Sequence, residues 1–200
     1  MPKYTRYYAW LLLVAISCNN QVKPVKQEKD LQQFTETAAQ LSGIAQQALL
    51  KEVSAAIQKG GTEYAVEFCS QKALALTDSV SKAHDLVITR ITNKPRNAAN
   101  VLKTAMDSAV WQRFEQAMAK KDSIPPGITE TEAKGALAYY KPIVIGMPTC
   151  LKCHGDPDKD IEAGTLKKLK EIYPDDKALN YTAGMLRGLW KITAAGAEPE

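Results

Sequence analysis

Histidine and cysteine are scarce in this chain, with 2 of the first and 4 of the second among 200 residues. So few ligating side chains leave little material for a four-ligand zinc site. Beyond the group at residues 150–154, such a site would have to draw on Cys69 and His84, far upstream and isolated from each other. Long hydrophobic runs are lacking too. The apolar run over residues 7–16 covers about ten positions, against roughly 20 for a helix that spans a bilayer. No block of one charge sign stands out. The chain has 26 basic and 22 acidic residues, and removing residues 1–17 takes away Lys3 and Arg6 to leave 24 against 22. That near-balance gives no footprint for nucleic acid. With no internal repeat and no low-complexity block, the length fits one domain with a sufficient core.

What is present is concentrated in Cys150-Leu151-Lys152-Cys153-His154. Cys-x-x-Cys-His is the spacing at which haem is attached covalently. Two thiols three residues apart can add to the two vinyl groups of one porphyrin, and the following histidine then lies beneath the iron as proximal ligand. The spacing therefore predicts one covalent haem c, with Cys150 and Cys153 as attachment sites and His154 as an axial ligand. A periplasmic thiol-disulfide oxidoreductase using Cys150 and Cys153 is the alternative. A thioredoxin-like dithiol, however, would follow a strand and open a helix, whereas Gly155-Asp156-Pro157 follows here and breaks any helix.

The N-terminus bears on the same question, because this kind of haem attachment takes place outside the cytoplasm. Lys3 and Arg6, the apolar run 7–16 and then Ser17-Cys18 have the order of a secretory signal, assigned to residues 1–17. Ala15-Ile16-Ser17-Cys18 resembles a bacterial lipobox, with Ala15 where Leu is usual, and implies lipidation at Cys18. Ordinary signal cleavage is the other reading. The polar stretch 18–29, which includes Pro24, then serves as a tether to the membrane. The expected location is the periplasmic side, on a lipid anchor.

With Cys18 assigned to lipid and two thiols to haem, Cys69 is left over in an oxidising compartment. Ala65, Cys69, Ala73, Leu76 and Val80 form one helical stripe. A lone cysteine there is either an inert core residue or the second axial ligand. Upstream, an apolar period over residues 31–57 predicts a long helix ended by Gly60-Gly61, which packs on the domain or supports a homodimer. Residues 86–92 read as a strand. A third helix carries Leu102, Met106, Ala109, Val110, Phe114, Ala117 and Met118 and stops before Pro125-Pro126. Strands follow at 135–140 and 143–145, divided by Lys141-Pro142, with Pro142 at an edge or bulge. A polar helix over 163–172 and a strand over about 184–193 complete an α+β plan with the haem loop inserted between strands. Residues 194–200 form a tail.

The run Arg90-Ile91-Thr92-Asn93-Lys94-Pro95-Arg96-Asn97-Ala98-Ala99-Asn100, preceded by a helix with Phe68-Cys69 and followed by Cys150 to His154, resembles the single-haem c-type domain with a PAS-like fold. That bacterial domain was long filed as one of unknown function and occurs alone or as a sensor input module. The likeness covers residues 31–193, in which Arg90, Thr92, Arg96, Asn97 and Asn100 fit the family's Arg-x-Ser/Thr-x-x-x-Arg-Asn-x-x-Asn run. Ala98 stands where the family often has proline. The resemblance implies axial ligation by His154 and Cys69. His84 ranks next as a sixth ligand and the methionines last. Arg90 and Arg96 are candidates for pairing with haem propionates, since guanidinium suits carboxylate geometry, or else they belong to a solvated turn. A filled pair of axial sites argues against an enzyme and for redox or small-ligand sensing, or for electron transfer. Sensing would need a separate signalling protein, and transfer a redox partner.

Overall fold

The computed structural model describes residues 25–120, 123–132 and 135–196, apart from the side chains of 25–27, 73–80, 82 and 83. The expected signal peptide, Cys18 and the first part of the expected tether lie outside those residues. Helix α1, Val25–Ala83, begins inside the stretch expected to be tether. Lys26, Gln27, Glu28 and Lys29 are strong helix formers without a breaker, so the helix extends past its apolar period. Gly60 and Gly61 depart from helical geometry, and Gly61 has φ of 73°, a left-handed value that favours glycine. They bend α1 into two arms, where the sequence predicts the break.

The first arm lies across a sheet. Ala38, Leu41 and Ala45 are buried there with Ile88, Tyr139, Trp190 and Ile192. The sheet has four antiparallel strands: β1 Leu86–Ile91, β2 Ile128–Thr131, β3 Leu137–Val144 and β4 Leu186–Ala194, in the order β1-β4-β3-β2. Helix α2, Ala105–Ala119, covers the other face through Val110, Trp111 and Phe114. Its start is fixed by a capping box in which Thr104 accepts from the Asp107 N–H and Asp107 accepts from the Thr104 N–H. Asp107 also meets Lys191 at 2.8 Å, and Lys191 meets Glu132 at 2.6 Å, which ties α2 to β4 and to the end of β2.

Two expectations change in detail. Residues 137–144 are one strand rather than two. Pro142 is accommodated because β2 pairs only as far as Tyr140, so β3 is an edge beyond it, and the register shifts at Ile143/Val144. The Cys-x-x-Cys-His segment, expected as a loop, is the short helix α3, Pro148–His154. Pro148 starts it with a pre-set φ. Gly155 ends it, where a Cβ would come within 2.7 Å of the Leu151 carbonyl oxygen. Helix α4, Ala163–Ile172, follows, and together α3 and α4 connect the neighbouring strands β3 and β4. The α+β class and the insertion of the motif between strands stand. At the end of the chain β4 remains paired up to Ala194, opposite Leu86.

Candidate functional site

The bend in α1 encloses a space. Leu49, Val53 and Ile57 on the first arm and Ala65, Val66 and Cys69 on the second face one cavity of about 450 Å³. Volumes of roughly 300 to 1,000 Å³ are usual for cofactor sites. Helix α3 forms another wall with Cys150, Cys153 and His154, and Ile143 to Met147 continue it. The end of β1 and the segment after it contribute further: Arg90, Thr92, Arg96, Asn97 and Asn100 all reach the cavity. The residues singled out in sequence as Cys69, Arg90, Arg96, Cys150, Cys153 and His154 are therefore gathered around one space.

Cysteines at i and i+3 on a helix share a face, which explains how a seven-residue helix presents both thiols together. The three cysteines on the wall are free thiols. Burial pushes the Cys153 thiol up, with Arg96 partly offsetting it. Cys69 is raised by burial and held back by Arg90 and Arg96. A reactive dithiol needs its nucleophile stabilised as thiolate. Of the two motif thiols, Cys153 is moved the other way by its burial. Among the described residues, no group of three or more His, Cys, Asp or Glu converges as a bare metal site would require.

His154 is fixed for one role. Its Nδ1 lies 2.9 Å from the Ala178 carbonyl oxygen. That oxygen only accepts, so Nδ1 carries the proton and Nε2 keeps a lone pair. Burial, followed by the charges of Arg96 and Arg187, holds this imidazole well below its ordinary range, so it is neutral at physiological pH. Tyr181 packs edge-on against the ring at 6.2 Å. The other ligand candidates separate by position. His84 is exposed at the turn after α1, while Met106 and Met118 pack with α2 on the opposite face of the sheet. Met147 does line the cavity, but only three residues from Cys150.

Arg96 has other employment than a free carboxylate partner or a solvated turn. Its Nε is 2.9 Å from Asp176, and its Nη2 donates to the carbonyl oxygens of Cys153 and Ala178. It thus joins the end of α3 to the loop that orients His154. Removing it leaves Asp176, with a side chain 6% exposed, without its cation. Arg96→Met should therefore cost about 3 kcal/mol, read as a lower urea midpoint. An unaltered midpoint would show that the tie contributes nothing.

Sequence reasoning missed Arg187, Trp190 and Gln46, which also line the cavity. Among the described residues, Arg187 Nε, Trp190 Nε1 and Gln46 Oε1 are buried without a hydrogen-bond partner. The one signal available was a strand that places an arginine and a glycine, Arg187-Gly188, within an apolar run.

The chain thus has an α+β fold with a kinked helix closing over a mostly apolar cavity walled by thiols and an imidazole. The model of the Tll0287-like family matches residues 17–195, and the chain belongs to that family. Among solved structures, it is similar to one described as the crystal structure of the cyanobacterial heme-protein Tll0287, with a TM-score of 0.57 and 18% identity over 88% of this chain and 99% of that one. No curated protein matches the chain.

Proposed function

We propose that this chain carries one haem c, bonded through Cys150 and Cys153, with His154 and Cys69 as axial ligands. The observation that carries the reading is the convergence of these four side chains on one apolar cavity with His154 Nε2 left free. The family and the description of its cyanobacterial relative as a heme-protein support it. The porphyrin supplies four of the iron's ligands, so an axial pair suffices, and the lack of a compact cluster for a bare ion is no obstacle. Cys69, whose proton burial retains, would yield it on binding ferric iron, because a ligating thiol must deprotonate. The expected result, in protein produced with haem-maturation machinery, is a pyridine haemochrome of the c type at one haem per chain. A b-type spectrum overturns the covalent bond, and a colourless protein overturns the reading.

A thiolate and an imidazole together fill both axial positions, so the chemistry is electron transfer or a redox- or ligand-triggered change of ligation rather than turnover of a substrate. The PAS-like description is supported by the placing of the first strand beside the last in the sheet. An export signal with a lipid at Cys18 would hold the domain at the periplasmic side of a membrane, near a redox partner or a separate signalling protein.

A further inference from the structure

The cavity offers more positive charge than the protein neutralises. Arg90, Arg96 and Arg187 line it, and among the described residues no aspartate or glutamate does. Asp176 pairs with Arg96, whereas neither Arg90 nor Arg187 forms an ion pair among the described residues. Both unpaired guanidiniums bear the cost of burial, and Arg187 also feels the positive charges of Arg96 and Arg90. Arg90 stacks 5.8 Å from the Trp190 ring, and the two residues are partners in the β1–β4 register.

Arg187 has a donor to spare. Its Nη1 makes only long bonds, 3.4 Å to Thr92 Oγ1 and 3.3 Å to the Lys94 carbonyl oxygen, and its Nε is buried without an acceptor. The Trp190 indole N–H is in the same condition, on a side chain 1% exposed. A buried donor left unmade is expensive, and two cations with two orphan N–H groups call for anionic oxygen. Haem brings two carboxylates. We propose that Arg187 receives one propionate of the haem and that Arg90, beside the Trp190 indole, is the cation for the other, a refinement that rests on the haem reading above. Arg96, already engaged, is left out.

The test uses the full chain with Cys150→Ala and Cys153→Ala, so that porphyrin binds reversibly, and follows the absorption on titration with haemin and with haemin dimethyl ester. Haemin should bind roughly tenfold to a hundredfold tighter than the ester, the range of a charge-assisted contact. Arg187→Met should weaken haemin by most of that factor and leave the ester unchanged, while Arg187→Lys restores part of it and Trp190→Phe loses a smaller part. Equal binding of haemin and ester with Arg187 in place overturns the inference alone. So does an equal loss of both on Arg187→Met, which would assign Arg187 to packing. If that variant does not fold by circular dichroism, the Lys and Phe variants decide by the same ratio. Uptake of neither porphyrin by the chain with Arg187 intact defeats the haem reading itself.

Discussion

Cys150→Ser together with Cys153→Ser should leave no covalent haem. All absorbance in the haem region should pass into acidified acetone, where the wild-type protein should retain it in the precipitate. The effect is all-or-none because a hydroxyl does not form the thioether. The single variants should each keep one bond and show an intermediate haemochrome. Non-covalent uptake by the double variant should persist, because His154 keeps its bond to Ala178 and the apolar walls from Leu49 to Ile57 are untouched. Covalent haem surviving in the double variant would refute the assignment of the motif.

The separation of legible from illegible parts follows the range of the interactions. The break at Gly60-Gly61, the helix over 163–172 and the first strand are set by neighbours in sequence, and they lie where the periodicity predicts. The motif helix was hidden because seven residues carry no period, and its helicity depends on Pro148 and Gly155 at the two ends. Whether Lys141-Pro142 interrupts a strand depends on how far β2 extends along β3, a fact about another segment.

The site divides the same way. Cys150, Cys153 and His154 declare themselves by spacing, and the motif residues from Arg90 to Asn100 do reach the cavity. Spacing alone did not show that Arg96 is bound to Asp176, 80 residues away, or that Arg187 has an unsatisfied N–H. Both facts arise from long-range chain crossings. They alter the electrostatic reading: of the three guanidiniums at the wall, one is neutralised internally, leaving two positive charges. Two propionates would cancel these, and a thiolate would cancel the single positive charge of a ferric porphyrin core. The buried assembly would be neutral when oxidised and carry an extra negative charge when reduced.

That imbalance makes Cys69→Ala the most revealing single substitution. Cys69 is a half-buried thiol on the second arm of α1, facing the same cavity as His154, and Arg90 and Arg96 favour its thiolate against the opposing effect of burial. Thiolate suits ferric iron, where its charge is compensated, and suits ferrous iron less, where protonation of the sulfur competes. Wild-type ferric protein should give a low-spin EPR spectrum with the narrow g-spread of thiolate ligation, and Cys69→Ala should abolish it. Opening the sixth position should admit cyanide to the ferric protein and carbon monoxide to the ferrous protein. The reduction potential should rise as well. If the thiolate prefers ferric over ferrous iron by two decades, the shift is about 120 mV, at about 59 mV per decade for one electron. Stability should change little by comparison, because losing one sulfur at a cavity wall removes few contacts and leaves no buried polar group unpaired. An unchanged EPR spectrum with unchanged cyanide binding would make Cys69 an inert wall residue. The opposite position would then fall to solvent or to another polar side chain of the wall, because Met147 stands only three residues from Cys150.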